Sequence, residues 1–389
     1  MTILGIFLIN QIRTGGDRRY LELMETLAQR GNSVFILMNS YLEYNANFIK
    51  KIEIPVKYIR HRFPPASYLF KKSVKNHLKE ISECIKGFSS IDFIHIHGDI
   101  YLKTAIYLKK KIGKPFFYAS RNNDIDRSKI VRKEGKLNLK EYVFSLIKDV
   151  IERNREKQIA KYADIVTFQY PKDRDSFLRR TKSNINKTII IPGNIGLPRC
   201  TPEYKNRNKS ESLKNILCVG ASSITKGFLN LLRTMECLKK RGFGYIHFTL
   251  LGRFSDQKLI NKINSSIAAD MITLAGFADP FPYLSNHDLL LYPVLFDAYP
   301  DAVLEALHTG CPVIASNTGG LPDMLHFPEL LFENCNIEQI TDKIIKCVND
   351  NTFYKQIREL CSQRVSIHHF DWEGAFEKTM KDYLNNNHA

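Results

Sequence analysis

The sequence predicts an α/β protein with two doubly wound units in tandem, each a parallel sheet covered by helices on both faces. The first observation is that short runs rich in Ile, Val and Phe alternate with stretches of helical periodicity along the chain. The second is a polar stretch without periodicity at 201–213, after which the alternation starts again. The length, 389 residues, also fits two domains.

The first half begins with an apolar run at 3–9 that has neither a basic start nor a small-residue cleavage site. We therefore interpret it as a buried first strand and not as a signal peptide. The next stretch, 20–30, places Leu21, Met24 and Leu27 on one helical stripe. Further strands are predicted at 33–38, 91–97, 115–119, 165–169 and 188–191.

The second half repeats this pattern. Strands are predicted at 216–219, 246–251, 271–274, 289–293 and 312–315, and helices at 229–240, 301–308 and 372–384. The predicted domains are 1–200 and 213–368, joined by a linker at 201–212 and followed by a helical segment at 369–389. Such sheets bind ligands at the carboxyl ends of their strands, and two facing units give a deep cleft.

Composition narrows the class of protein. Hydrophobic residues make up 44% and charged residues 25% of the chain, which excludes a disordered or fibrous protein. The longest apolar run, 289–296, is far shorter than the roughly 18 residues that span a bilayer. The eight cysteines are scattered without a CxxC pair, so we expect reduced thiols and a cytoplasmic protein.

The basic charge is concentrated in the first half. Of the net +17, residues 1–200 carry +19 and residues 201–389 carry −2. Such a surface attracts phosphates, which implies an anionic membrane, a nucleic acid or an anionic small molecule as partner. The alternative is a solvated surface that only keeps the protein soluble.

The strongest candidate for a binding site follows the strand predicted at 289–293. The loop after it carries Asp297, and Pro300 stands where the next helix begins. The amides of 301–303 form an anion site at the positive end of the helix dipole. Glu305 lies one turn inside the helix, where its carboxylate can accept two hydrogen bonds from a vicinal diol.

Two further features support this candidate. Gly319 and Gly320 follow the next strand and let the backbone approach a ligand closely. Lys226 lies at a helix entrance, where its ammonium can neutralise a diphosphate. Phosphate-facing dipoles beside two carboxylates suggest a sugar nucleotide. The alternatives are an ordinary capped helix, in which Asp301 and Glu305 only favour the dipole, and a surface lysine.

At these residues the chain resembles the retaining GT-B glycosyltransferases of family 4, the glycosyl transferases group 1. Asp297 and Glu305, eight positions apart, match the acidic-x7-Glu motif, and the run GCPVIASNTGG at 310–320 follows as in that family. The resemblance covers nearly the whole chain. Its other pieces are Gly220 with Lys226-Gly227-Phe228, Gly15-Gly16 with Arg19-Tyr20-Leu21, Arg30-Gly31, His95-Ile96-His97-Gly98, Ala163-Asp164 and Phe370-Asp371-Trp372-Glu373.

The resemblance implies two Rossmann-like domains facing a central cleft, with 1–200 holding the acceptor and 213–368 the nucleotide sugar. The helix at 369–389 would return to the first domain. Glu305 would bind the nucleotide ribose, and Asp297 would bind hydroxyls of the transferred sugar. Residues that would hold the diphosphate are Lys226 and the amides of Ala302 and Val303.

The resemblance also implies roles for residues of the first half. Gly16 would pack its backbone against the donor phosphate or the acceptor, and His97 and Arg121 would belong to the catalytic centre. Phe277, in the second half, would lie near the nucleobase. The residues assigned to the acceptor side are Gly15, Arg19 and Asn122.

Three positions depart from the family pattern. Asp297 replaces the usual glutamate, which shortens the carboxylate by one methylene. Ala221 stands where an arginine usually accompanies Lys226, so one cation for the diphosphate is missing. Arg121 stands where the family often has histidine, and our hypothesis is that it supplies the missing charge from the other domain.

The family mechanism is front-face attack with retention, in which the leaving phosphate takes the acceptor proton, so neither a side-chain base nor a metal ion is expected. The cations and helix amides would stabilise the departing diphosphate.

His95 and His97 point the same way on one strand but lack a third ligand, which argues against a metal site. The DxD at 124–126 is interpreted as a polar loop. Hydrolysis by the two carboxylates is the alternative reaction.

The acceptor is predicted to be lipid-linked and used in surface polysaccharide synthesis by a peripheral membrane protein on the inner face of the plasma membrane. The segment 60–72 mixes cations with aromatic residues that can lie in a lipid interface. The stretch 139–151 has apolar residues at helical spacing and is interpreted as a core-facing helix.

Two alternatives to the glycosyltransferase function remain. They are a non-catalytic sugar-nucleotide sensor and a nucleic-acid-modifying enzyme, although no nucleic-acid-binding motif is present. The expected donor is a UDP- or GDP-sugar.

Overall fold

The computed structural model describes residues 1–12, 14–57, 65–134, 137–194, 212–220 and 224–387. Two compact units are formed. The first unit consists of Met1–Asn122, Val150–Pro192 and Asp371–Ala389, and the second of Asn123–Asp149 and Gly193–Phe370.

The first unit is built on a sheet of seven parallel strands in the order β3-β2-β1-β4-β5-β6-β7. The strands are β1 (Thr2–Phe7), β2 (Ser33–Asn39), β3 (Lys50–Ile54), β4 (Phe93–His97), β5 (Phe116–Ala119), β6 (Ile165–Phe168) and β7 (Thr188–Ile190). The α-helices described along this part of the chain are α1 (Gly15–Gln29), α2 (Ala66–Asn76), α3 (Leu78–Cys84), α4 (Leu102–Ile112), α5 (Asp124–Glu134), α6 (Leu139–Tyr162) and α7 (Pro171–Thr181), of which α5 and the start of α6 belong to the second unit.

The second unit is built on a sheet of six parallel strands in the order β10-β9-β8-β11-β12-β13. The strands are β8 (Asn215–Val219), β9 (His247–Leu251), β10 (Ile272–Gly276), β11 (Leu289–Tyr292), β12 (Val313–Ser316) and β13 (Leu331–Phe332). The remaining α-helices among the described residues are α8 (Phe228–Lys240), α9 (Gln257–Asn264), α10 (Pro280–Asn286), α11 (Asp301–Thr309), α12 (Leu321–Leu325), α13 (Ile337–Asn349), α14 (Asn351–His368) and α15 (Trp372–Asn387).

The predicted fold class, two doubly wound parallel sheets, is confirmed. The central strands β1, β4, β5 and β11 are almost entirely buried, which is why their apolar runs were readable from the sequence. Strands β3 and β13 were not predicted. Both lie at a sheet edge, where one has a charged, partly exposed pattern and the other only two residues.

The C-terminal helix α15 belongs to the first unit. Trp372, Phe376 and Met380 are buried, and the Phe376 ring lies 5.8 Å from that of Phe117 on β5. The entry to the helix is fixed by Arg30, whose guanidinium donates to the Asp371 carboxylate at 2.5 and 2.8 Å. The apolar stripe of α15 therefore completes the core of the first sheet, as predicted.

The predicted boundary at residue 200 differs from the structure in one respect, because Asn123–Asp149 group with the second unit. The Arg132 guanidinium donates to the Asp149 carboxylate at 2.6 Å and joins α5 to the start of α6. Residues at the end of α5 also lie near Cys335. Burial raises the pKa of the Cys335 thiol, Glu134 raises it further, and Lys133 lowers it. Residues 201–211 of the predicted linker and Ala221 lie outside the described residues.

The helix predicted to face the core is exposed instead. The large apolar side chains in the first half of α6 are between 42% and 80% exposed. They are Leu139, Tyr142, Val143, Phe144, Leu146, Ile147, Val150 and Ile151, which we call the α6 apolar face. Helical periodicity alone cannot say whether such a face meets a core, and among the described residues these side chains stay exposed.

Two smaller predictions also change. Asp124 and Asp126 lie in the first turn of α5 and not in a loop, because Asn123 caps the helix by accepting from the Asp126 amide at 3.0 Å. In the segment 60–72, residues 60–64 lie outside the described part. Tyr68 is 51% exposed, whereas Phe70 is buried. No helix among the described residues is long and apolar enough to cross a membrane.

Candidate functional site

Three side chains of the second unit meet at the carboxyl end of its sheet. The Lys226 ammonium donates to Asp297 Oδ2 at 2.5 Å, and the Tyr292 hydroxyl donates to the same oxygen at 2.8 Å. The ammonium also lies 3.4 Å from the Tyr292 hydroxyl. Tyr292 ends β11 and is buried, so the cluster rests on the sheet itself. The structure thus brings together the predicted Lys226 and Asp297 and adds a third member.

The cluster keeps its cation charged. Burial by itself would lower the pKa of Lys226, but Tyr292 and Asp297 outweigh it and raise this pKa, so the ammonium is protonated at neutral pH. Burial, together with the Asp297 charge, raises the pKa of Tyr292. The phenol therefore remains a hydrogen-bond donor to the carboxylate.

The loop that carries Asp297 is fixed through Leu295. The Leu295 amide donates to the Thr225 carbonyl at 3.1 Å, which ties the loop to the segment carrying Lys226. The Leu295 carbonyl accepts from the Thr318 hydroxyl at 3.1 Å and from the Asn334 amide at 2.9 Å. The carboxylate and the ammonium are thereby presented by one hydrogen-bonded backbone network.

Two glycines allow this network to form. A Cβ on Gly227 would lie 1.8 Å from the Pro293 carbonyl oxygen, and one on Gly319 would lie 1.7 Å from the Asp297 carbonyl oxygen. Both glycines have positive φ, +81° and +59°. The close approach predicted for Gly319 therefore exists, but the group that approaches is the Asp297 backbone. The Gly320 amide donates to that same carbonyl at 3.1 Å.

Helix α11 begins directly after this loop, with Pro300 at the N-cap position. The Val303 amide donates to the Pro300 carbonyl at 3.2 Å, so it differs from the free amide that was predicted. No described residue accepts a hydrogen bond from the Ala302 amide, which keeps Ala302 as a candidate phosphate donor. Glu305 is only 3% exposed and lies on the same helix, one turn in.

Phe277 lies at the same edge of the sheet, after β10. Its ring is 72% exposed, and the Arg253 guanidinium lies 4.4 Å from the ring centroid. The Gly252 amide donates to the Gly276 carbonyl at 2.8 Å, which brings the loop carrying Arg253 next to the loop carrying Phe277. The pair offers a flat surface and hydrogen-bond donors, the features that a nucleobase requires.

The first unit holds a second cluster around Arg121, which follows β5. The guanidinium donates to Asp17 Oδ1 at 2.7 Å and to the Thr14 hydroxyl at 2.6 Å. Thr14 and Asp17 also form the capping box of α1, so Arg121 is docked on a helix N-terminus. A Cβ on Gly16 would lie 2.6 Å from the guanidinium and one on Gly98 would lie 2.8 Å from its stem. These glycines make room for the arginine.

His97 adjoins this cluster at the end of β4. Its pKa is held well below the usual range by burial, then by Arg121 and Arg19, and its ring hydrogen-bonds the Gly16 backbone. The imidazole is therefore neutral at neutral pH and serves as a hydrogen-bonding group. His95 is packed between rings, 5.5 Å from Tyr20 and 4.9 Å from Phe117, and burial lowers its pKa to about 3.

The three residues predicted for the acceptor side lie in different surroundings. Gly15 is the first residue of α1, and Arg19 is buried near His97. Asn122 is exposed after β5. The residues that the sequence did not reveal are Tyr292 and Asp17. The only signals were a single hydroxyl at the end of the LLLY run and an acid three residues after a threonine at a helix start.

Comparison with known proteins finds a family match within the second unit. Residues 213–350 match the family model described as glycosyl transferases group 1. An uncharacterised glycosyltransferase of Methanocaldococcus jannaschii is 26% identical over 48% of this chain, which spans 46% of that relative's length. O-antigen chain mannosyltransferase B of Escherichia coli is 21% identical over 63% of this chain and 74% of its own length.

Solved glycosyltransferase structures match the whole chain. Sucrose-phosphate synthase of Thermosynechococcus elongatus superposes with a TM-score of 0.77 at 18% identity, covering 99% of this chain and 98% of that one. HepE of Anabaena, solved in complex with UDP and glucose, gives a TM-score of 0.69 at 14% identity over 99% and 98% of the two chains. At these identities the likeness concerns the fold, and it is the GT-B fold.

Proposed function

We propose that this chain transfers a sugar from a nucleotide-sugar donor to a glycan acceptor. It has the GT-B fold of glycosyltransferases, and its residues 213–350 match the glycosyl transferases group 1 model. The observation that carries the proposal is the Lys226–Asp297 pair at the carboxyl end of the second sheet, followed by the buried Glu305. At this place a cation can bind a diphosphate, and the two carboxylates can accept hydrogen bonds from the hydroxyls of a sugar and of a ribose.

The donor we propose is a UDP- or GDP-sugar. Support comes from the complexes of HepE with UDP and glucose and with UDP-glucose. In our proposal Glu305 binds the ribose diol, Asp297 binds sugar hydroxyls, and Lys226 with the Ala302 amide holds the diphosphate. Phe277 and Arg253 would contact the base.

We propose transfer with retention of configuration and without a bound metal ion. Lys226 is the only cation proposed for the diphosphate within its own unit, and it would stabilise the charge that develops on the leaving group. The leaving phosphate would accept the acceptor proton, which requires no side-chain base. Arg121 remains a candidate for a second cation, although in this structure it is paired with Asp17.

The test is nucleotide release from a panel of UDP-, GDP- and ADP-sugars, with and without EDTA, beside Glu305→Gln. We expect release from one donor, unchanged by EDTA and reduced at least about 100-fold in the variant, since a neutral amide binds a diol less well than a carboxylate. Glu338→Gln is the matched control, because it removes the same charge from a side chain that is 66% exposed. No release or binding of any donor would contradict the proposal.

For the acceptor, we propose a lipid-linked glycan intermediate of surface polysaccharide synthesis, used on the cytoplasmic face of the plasma membrane. The name of the Escherichia coli relative supports the pathway class. The α6 apolar face supports the membrane, because eight exposed apolar side chains on one helix would bury in the acyl boundary. The net charge of +19 on residues 1–200 complements anionic lipids.

Membrane binding can be tested by pelleting with liposomes that contain phosphatidylglycerol. We expect the protein to pellet at low salt and binding to fall at least about tenfold in the double variant Val143→Glu/Ile147→Glu, because each charge would enter the apolar boundary. Both side chains are about half exposed, so folding is unaffected. Ile267→Glu is the control, since Ile267 is 52% exposed elsewhere. Equal pelleting of the double variant and the wild type would refute a role for this face.

A further inference from the structure

We propose that Tyr292 is a positioning residue for the donor sugar, acting through Asp297; this inference rests on the proposed function. The Tyr292 hydroxyl and the Lys226 ammonium both donate to Oδ2 of Asp297, at 2.8 and 2.5 Å. Among the described residues no group donates to Oδ1. The carboxylate is therefore held by one oxygen and presents the other.

The hydroxyl of Tyr292 has a role that Lys226 cannot fill during turnover. A bound diphosphate attracts the Lys226 ammonium and weakens its contact with Asp297 Oδ2, because one cation then interacts with two anions. Asp297 is 15% exposed, and a partly buried carboxylate that loses its partner is unstable and free to rotate. The Tyr292 hydroxyl remains bonded to Oδ2 in that state, so Oδ1 stays aimed at a sugar hydroxyl.

The geometry of Tyr292 suits this role. The residue ends β11, where pairing with β12 joins Tyr292 to Ala315 and fixes the backbone. Its side chain is 3% exposed, so the ring cannot swing away without leaving its packing. An aspartate is also shorter than a glutamate and reaches less far into a site. A rigid phenol behind it limits the directions in which its carboxylate can point.

The experiment compares two ligands that differ only in the sugar. Titration calorimetry of Tyr292→Phe with UDP-glucose and with UDP, or with GDP-mannose and GDP if the donor panel selects guanine, separates sugar from nucleotide recognition. We expect affinity for the nucleotide sugar to fall about tenfold, the effect of one lost charge-assisted hydrogen bond, and affinity for the nucleoside diphosphate to stay within about twofold.

Two further variants exclude a structural explanation. Tyr354→Phe removes another buried hydroxyl of the same unit, which donates to the Asp288 carbonyl at 2.6 Å, and should change neither affinity. In an Asp297→Ala background, Tyr292→Phe should have little further effect, because the acceptor through which it acts is absent.

The inference is overturned if Tyr292→Phe weakens both ligands equally, weakens neither, or keeps its full effect in the Asp297→Ala background. Each of these results would leave the proposed function intact as long as the wild-type protein releases nucleotide from a donor. A wild-type protein that binds no nucleotide sugar would instead refute the proposed function, and this inference with it.

Discussion

Gly319→Ala is expected to abolish sugar transfer, reducing kcat/KM at least about 100-fold, and to lower the free energy of unfolding by about 3–5 kcal/mol. The added Cβ would lie 1.7 Å from the Asp297 carbonyl oxygen and 2.7 Å from the carbonyl carbon. The backbone of Asp297 would have to move by more than 1 Å, and the carboxylate would move with it. Urea unfolding and donor turnover measure the two effects.

Gly310→Ala is the matched control for this prediction. Gly310 also has a positive φ, +73°, but nothing lies within 4 Å of the position its Cβ would take. The cost should be that of the backbone conformation alone, about 1 kcal/mol, with turnover close to that of the wild type. If Gly319→Ala kept more than a tenth of the wild-type turnover, the loop carrying Asp297 would not need its observed position.

Lys226→Ala is expected to reduce turnover at least about 100-fold, because the departing diphosphate would lose the cation proposed to stabilise it. Stability should change little, by about 1 kcal/mol, since the Lys226 side chain is 39% exposed and water can replace its contact with Asp297. Tyr292 would still donate to the carboxylate. Steady-state kinetics and urea unfolding of the same preparation separate the two effects.

Lys239→Ala controls for the loss of a lysine–aspartate pair. Lys239 and Asp270 pair at 2.5 Å, the same distance as Lys226 and Asp297, but they lie on the surface of the second unit. This variant should retain full turnover. A Lys226→Ala enzyme within tenfold of the wild type would mean that Lys226 is not the cation that stabilises the departing diphosphate.

The sequence predicted those parts of the protein that depend on local patterns. Central strands are continuous apolar runs because both of their faces are buried, and the runs at 216–219 and 289–293 became β8 and β11. The spacing of Asp297 and Glu305 placed one carboxylate before the helix start and one inside α11. Lys226 was predicted at a helix entrance, and α8 begins two residues later.

Other features depend on contacts between distant parts of the chain. Arg121 reaches Asp17 across 104 positions, and nothing in either local sequence specifies that ion pair. Tyr292 ends a run of leucines and has the sequence pattern of a core residue, although its hydroxyl reaches Asp297. Gly319 was predicted to approach a ligand, but its space is filled by the backbone of Asp297.

The sequence by itself determined the two-sheet architecture, the concentration of basic charge in the first half and the positions of Lys226, Asp297 and Glu305 relative to the strands and helices. It did so because secondary structure and net charge follow from residue type and periodicity, which are local properties. Tertiary structure alone decided that the α6 apolar face is exposed and that Asn123–Asp149 group with the second unit. Periodicity gives the direction of an apolar stripe along a helix, whereas only the packing of the whole chain decides what that stripe contacts.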